Sequence, residues 1–216
     1  MNIRHSIAPL AVLAAMIASP VLAQTKIEVS HFPGAAWTAQ AALDQGYFAK
    51  EKLEVHLNPI TSSVAQIKGM MDGTYQIGIT ALDNVIAYDA GQGDVKLDTP
   101  ADFIAFMGGE GGSLHVMTAP AVKRIEDLKG KVLAVDAKGT GFAFVLYRIA
   151  AMHGVKQSDY SLIAVGSSQQ RLDALMDGRA QAALLNRPFD SLAVSKGAND
   201  LMAMNKVFPH YQSSVG

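Results

Sequence analysis

The chain contains no cysteine. Without thiols it has neither a disulfide framework nor thiolate chemistry, so burial of apolar surface must hold the fold together. It also lacks an excess of charge of either sign. The 18 Lys and Arg stand against 19 Asp and Glu, for a formal net charge of -1, which leaves no electrostatic footprint for nucleic acid or an anionic membrane surface. The six histidines, at positions 5, 31, 56, 115, 153 and 210, show none of the short spacings that grip a metal ion. After the first two dozen residues no apolar run approaches the roughly 18 residues that a membrane-spanning helix requires. Nucleotide signatures are missing too. Gly139-Thr140-Gly141 has Phe144 where a dinucleotide fingerprint needs its third glycine, and no Walker lysine follows a suitable glycine spacing.

What is present begins at the N-terminus. Met1-Asn2-Ile3-Arg4-His5 is a basic opening, Ile7 to Leu22 is an apolar run, and Val21-Leu22-Ala23 is a small-x-small ending before Gln24. That order is an export signal, so residues 1–23 are expected to be removed near Ala23 and the remainder to be a soluble periplasmic protein. Half of the residues are hydrophobic, enough at this length for two modest cores.

The chain repeats itself. Lys26 to Thr80 lies over Lys131 to Leu185 without a gap at an offset of 105 positions. The coincidences fall on Gly34/Gly139, Ser62/Ser167, Ser63/Ser168, Met71/Met176, Asp72/Asp177, Gly73/Gly178 and Gln76/Gln181. These residue types belong at tight loops, helix caps and helix ends. Between them, Ile27–Ser30, Glu54–Ile60 and Gln76–Thr80 read as strands that alternate with helical patterns, including one with Ala39, Leu43 and Tyr47 on a single face. Val132–Val135, Leu162–Val165 and Ala180–Leu185 repeat the order. Phe103–Met107 reads as a further strand of the first unit, and Ser113–Thr118 as the strand that crosses to the second. Strands alternating with helices imply parallel βαβ units. The expected fold is therefore α/β, with two similar lobes at 24–110 and 111–216 and a ligand cleft between them. Gly108 to Gly112 is the hinge candidate.

Ligands of open α/β sheets bind at the carboxyl ends of strands, which directs attention to particular loops. Gly139-Thr140-Gly141 sits between a strand and a helix, where free N–H groups favour a polar or anionic ligand or simply make a turn. Ser62-Ser63 and Ser167-Ser168 occupy corresponding places and either cap helices or touch ligand. Trp37 and its counterpart Phe142, beside His31-Phe32-Pro33, either sandwich a planar ligand or pack in the core. Asn84, Asn186 and Arg187 follow strand ends, and Arg187 is the obvious counter-ion for an acid group. Catalysis finds little support. Ser113 and His115 lie at i, i+2 on one strand and do not form a nucleophile elbow.

The phrases Gly46-Tyr47-Phe48-Ala49-Lys50-Glu51-Lys52-Leu53-Glu54-Val55, Asp127-Leu128-Lys129-Gly130-Lys131-Val132 with Gly139-Thr140-Gly141, and Ala174-Leu175-Met176-Asp177-Gly178 through Pro188 carry a resemblance. The chain resembles the type II periplasmic solute-binding proteins of ABC importers, in the branch that binds nitrate, sulfonates, taurine and thiamine pyrimidines. The resemblance implies a small polar or anionic solute clamped by lobe closure and delivered to an ABC permease, without enzymatic activity or a cofactor. It places the ligand loops at His31 to Trp37, Ser62-Ser63, Leu82 to Asn84, Gly112-Ser113, Thr140-Gly141, Ser167 and Asn186-Arg187. Members of the family continue past the point matching Tyr211 to Gly216, so the first lobe is expected to carry an uncovered apolar patch. Two other readings remain open from sequence: a sensory receptor domain signalling to a membrane partner, and a Ser113-dependent hydrolase.

Overall fold

A computed structural model describes residues 24–99, 101–109, 114–211 and 216. The expected export signal, most of the hinge candidate, Ser113 and most of the run from Tyr211 to Gly216 lie outside the described residues. The chain starts with β1 (Thr25–His31), α1 (Trp37–Asp44), α2 (Tyr47–Lys50), β2 (Leu53–Pro59), α3 (Ser63–Met71), β3 (Ile77–Ile79) and α4 (Leu82–Asp89). It continues with β4 (Leu114–Thr118), β5 (Val132–Val135), α5 (Gly141–Met152), β6 (Ser161–Ala164), α6 (Ser168–Met176), β7 (Ala182–Asn186), α7 (Phe189–Ser195) and β8 (Asn199–Ala203). Two sheets result, a three-stranded one in the order β2-β1-β3 and a five-stranded one in the order β6-β5-β7-β4-β8.

The repeat in the sequence is a repeat in space. β1 runs parallel to β2 and β3, and β5 runs parallel to β6 and β7, with the first-formed strand central in both triplets. α3 and α6 span equivalent positions, 63–71 and 168–176. Each is followed by a left-handed backbone position that favours glycine, Gly73 at φ 79° and Gly178 at φ 80°. Three residues on, the same carboxamide clamp appears twice. Gln76 accepts the Glu28 N–H at 2.8 Å and donates to the Gly73 carbonyl at 2.8 Å. Gln181 accepts the Val132 N–H at 3.0 Å and donates to the Gly178 carbonyl at 3.0 Å. The glutamine thereby ties the helix exit to the start of the central strand, and one side chain sets the register of helix against sheet.

Burial follows the two-residue period of the strands. Val116 and Leu133 face one layer with Leu146, Ile149 and Ala150 of α5, whereas their neighbours Met117 and Ala134 face the other with Leu172, Leu175 and Ala193 of α6 and α7. The five-stranded sheet, in which β4 runs antiparallel to β7 and β8, is thus covered on both sides, as its parallel portion requires. The first lobe has a smaller core, in which Val29, Ala36, Val55 and Ile79 pack on one side and Ile67, Tyr88 and Ala101 on the other.

Two expectations need correction. Gly46, at φ 68°, ends the first helix, so Tyr47 starts α2 and is 55% exposed instead of sharing a face with Ala39 and Leu43. Phe103–Met107 forms no strand. A cavity of about 230 Å³, lined by Ile67, Ile77, Gly78, Phe103, Ala105 and Phe106 among others, lies between this stretch and β3. The Phe106 N–H and the Met107 carbonyl pair with Gly216 at 3.0 and 2.9 Å, but no longer ladder runs along the stretch among the described residues, and Ile104, Phe106 and Met107 remain exposed.

The clamp predicts its own cost. Gln181→Ala strands the half-buried Val132 N–H and is expected to destabilise the chain by about 1–2 kcal/mol, read as a lowered urea midpoint at unchanged slope. A midpoint equal to that of the parent chain would show that the clamp contributes nothing.

Candidate functional site

In both lobes the carboxyl ends of the parallel strands open into loops, and these two sets of loops meet. The first lobe contributes the stretch after β1 from Phe32 to Trp37, the Thr61–Ser63 turn after β2, and Leu82–Asn84 after β3. From the second come Asp136–Gly141 after β5, Gly166–Ser168 after β6, and Asn186-Arg187 after β7. The Ser167 N–H donates to the Thr61 carbonyl at 2.9 Å, the Gly141 N–H to Asn84 Oδ1 at 2.7 Å, and the Gly139 N–H to Asp94 Oδ1 at 2.9 Å. The Tyr211 hydroxyl reaches across to donate to Asp83 Oδ2 at 2.6 Å. Gly34 adopts φ 83°, which favours glycine, and lies against Arg187, where an added Cβ would make an ordinary contact at 3.4 Å with that carbonyl oxygen. A Cβ on Gly141 would collide with the Asp83 carboxylate. The lobes are therefore closed on each other, and glycine is required where they come closest.

Several residues singled out from the sequence lie in this seam. Asn84 is buried, and its amide nitrogen donates to Thr80 Oγ1 at 2.9 Å while its oxygen receives the Gly141 N–H. Thr140 is buried and turns its hydroxyl back to the Ala137 carbonyl at 3.0 Å. Ser167 caps α6 through Gln170 Oε1, with its N–H at 2.8 Å and its hydroxyl at 3.1 Å. Ser62 is half-buried at the head of α3, and Ser63 beside it is 1% exposed. Asn186 accepts a short hydrogen bond from Ser168. His31 and Phe32 are half-buried, with His31 Nδ1 2.9 Å from the Phe32 carbonyl oxygen. The aromatic pair is not brought together as a stacked set. Trp37 is 66% exposed, while Phe142 lies under the Arg171 guanidinium at 5.7 Å. Arg187 is exposed. His115, the imidazole near Ser113, is held by Asp200 at 2.8 Å.

The charged residues of the seam were not singled out from sequence. Arg171 is 3% exposed and spends its donors on the Leu184 carbonyl at 2.9 Å, the Gly166 carbonyl at 2.7 Å and Ser168 Oγ at 2.7 Å. Burial brings its guanidinium down to about 10, opposed by the charge of Asp136. Burial pushes the Asp136 carboxyl up, with neighbouring Ser63 and the Arg171 charge pulling the other way. Asp83 is pushed up to about 6 by burial, against the hydrogen bond from Tyr211, and the Tyr211 hydroxyl is itself pushed up by burial and by Asp83. One oxygen of each carboxyl, Asp83 Oδ1 and Asp136 Oδ1, is buried without a hydrogen-bond partner, as are Ser63 Oγ and Gln66 Oε1. The repeat carried a signal for Arg171. Its counterpart at the 105-residue offset is Gln66, fully buried and donating to the Ile79 carbonyl, which is itself the counterpart of Leu184. A long polar side chain on the apolar face of both helices marks one functional position. Among the described residues no group of His, Asp and Glu could hold a metal ion.

Comparison with known proteins agrees with this geometry. Residues 38–209 match the family described as NMT1/THI5 like. The aliphatic sulphonate binding protein SsuA of Escherichia coli superposes with a TM-score of 0.65 at 17% identity, over 88% of this chain and 64% of that one. The MOPS-bound alkanesulfonate-binding protein SsuA of Xanthomonas axonopodis pv. citri gives 0.68 at 16% identity, over 88% and 64%. The periplasmic nitrate-binding protein NrtA of Synechocystis PCC 6803 gives 0.72 at 13% identity, over 89% and 55%. At such identities the likeness is one of fold, and the chain spans less than two thirds of the length of each of these three. No curated protein matches it.

The raised Asp83 carboxyl has a measurable consequence. Between about pH 4 and about pH 6 the unfolded chain loses this proton while the folded chain keeps it, so stability falls as pH rises through that window and levels off above it. Asp136 adds in the same direction. Thermal midpoints recorded from pH 4 to pH 7 are expected to decline in the parent chain and to decline less in Asp83→Asn. Parallel curves for the two proteins would remove Asp83 as a source of the effect.

Proposed function

The chain belongs to the NMT1/THI5 like family, and from that premise we propose that it is the extracytoplasmic solute-binding component of an ABC-type importer. It captures a small polar solute between two lobes and presents the closed form to a membrane permease. The observation that carries this reading is the meeting of strand-end loops from both lobes, with Asn84 bonded to Gly141 and Thr61 to Ser167. Parallel α/β sheets bind ligands at that end, and a seam sealed by a handful of polar contacts is one that a solute can enter and replace. Binding and release, not bond-making, is the chemistry proposed, and no cofactor enters it. Residues 1–23 act as the export signal, and residues 24–110 and 111–216 are the two moving bodies. The solutes implied by resemblance are sulfonates, nitrate-like anions and pyrimidines. Contact with them falls to Asn84, Thr140, Gly141, Ser62, Ser63, Ser167 and Asn186 in the seam, to His31, Phe32, Trp37, Phe142 and Arg187 around it, and to Ser113, which lies outside the described residues.

A solute that binds the folded state only raises the thermal midpoint by mass action, by about 2.7 kcal/mol at a hundredfold excess over Kd. For a chain of this size that corresponds to a rise of roughly 5–10 °C. A thermal-shift screen against sulfonates, nitrate, dicarboxylates, pyrimidines and organic amines is expected to give at least one saturable rise. A flat response across the whole panel would defeat the solute-binding reading.

A further inference from the structure

Buried carboxyl oxygens without partners lie on both sides of the seam, and their placement speaks to the kind of solute that fits. We infer that the seam selects a small organic cation, one carrying an ammonium or amidinium group, and discriminates against sulfonate and nitrate. The inference rests on the solute-binding reading above and narrows it.

Asp83 from the first lobe and Asp136 from the second each keep one buried oxygen without a partner, and Ser63 Oγ, 1% exposed and facing Asp136, is unpartnered as well. These three groups come from both sides of the seam, so a solute bound there would bridge the lobes. The positions an anion would need are already filled. At the start of the twelve-residue helix α5 the Gly141 N–H is taken by Asn84 Oδ1 and the preceding Gly139 N–H by the Asp94 carboxylate, which occupies the place of an anionic ligand. The buried cation is committed too, because Arg171 directs its hydrogen bonds to two main-chain carbonyls and the Ser168 hydroxyl. Lys138 and Arg187 are exposed on the flanking loops and add no buried charge. The loops that meet thus carry three carboxylates, Asp83, Asp94 and Asp136, and the one buried guanidinium beside Asp136 is immobilised. An anion entering on opening would meet a like-signed field and find the Gly139 and Gly141 N–H groups and the Arg171 guanidinium already engaged, which costs affinity twice over. A protonated amine supplies several N–H donors to Asp83 Oδ1, Asp136 Oδ1 and Ser63 Oγ and offsets the desolvated charge.

The test is isothermal titration calorimetry on the full chain with putrescine and agmatine as cationic probes, and isethionate and nitrate as anionic ones. At least one amine is expected to bind saturably, at least tenfold more tightly than either anion. Asp136→Asn is expected to weaken that binding at least tenfold while leaving isethionate no weaker. Asp83→Asn serves as an independent second variant with the same expected loss, should Asp136→Asn fail to fold. Saturable binding of isethionate or nitrate without binding of either amine overturns the inference and leaves the solute-binding reading standing. Amine binding that stays within twofold of the parent value in both variants overturns the assigned site. No heat from any of the four probes overturns the cationic class, and only a flat thermal-shift panel as well would remove the solute-binding reading.

Discussion

At the carboxyl end of a parallel sheet the last carbonyls have no next strand to bond, and in this chain two buried side chains satisfy them. Gln66 donates to the carbonyls of Ser30 and Ile79 in the first lobe. Arg171 donates to those of Leu184 and Gly166 in the second. Each stands on the helix that follows the second strand of its triplet, and each reaches the strand end from beneath the loops. An unsatisfied buried carbonyl costs roughly 1–3 kcal/mol, so these bonds hold the loop bases in register. Everything in the seam, from the Asn84 contact to the close approach of Gly141, is built on that floor. The two floors differ by one charge, and the second lobe's guanidinium is the counterweight that lets Asp136 sit buried at the head of its loop.

Much of this architecture was legible in the residues because the backbone demands it. A glycine after Met-Asp, followed three places later by glutamine, recurs because a left-handed exit and a carboxamide clamp are needed wherever this helix returns to this strand. The alternation of strands with helices correctly indicated parallel βαβ units. The seam was half legible. Loop positions follow from topology, so Asn84, Thr140, Gly141 and Ser167 could be named. The carboxylates and Arg171 could not, since their roles depend on which side chains from the opposite lobe lie against them. The stretch from Phe103 to Met107 shows the limit of periodicity. Its pattern fits a strand, but a strand needs a partner along its length, and among the described residues the pairing amounts to two bonds with Gly216. Trp37 carries a related lesson, because aromatic character at a helix start does not decide between burial and exposure.

The seam itself is held by few and polar contacts. Apolar residues concentrate within each lobe, in the layers around Leu133 and Leu146 and around Val29 and Val55, and the surfaces that meet are loops with carboxyl, hydroxyl and amide groups. Hydrogen bonds such as that from Gly141 to Asn84 bring modest net stabilisation, because water offers the same groups equivalent partners when the lobes part. The unpartnered oxygens of Asp83 and Asp136 work against closure. Opposing terms of this kind leave the open and closed arrangements near in free energy, which is the condition for a small solute to decide between them.

The direct Asn84–Gly141 and Thr61–Ser167 bonds also set a speed limit. If the seam is the proposed solute site, the closed chain bars its own cleft, and a solute must wait for a spontaneous opening before it can bind. Association by that route becomes independent of solute concentration once every opening is captured, and the plateau rate reports the opening frequency of the empty protein. Occupancy is reduced by the fraction of time spent closed and empty. In the proposed solute-binding role, capture then has a built-in ceiling that tighter binding cannot raise, and only a weaker seam can.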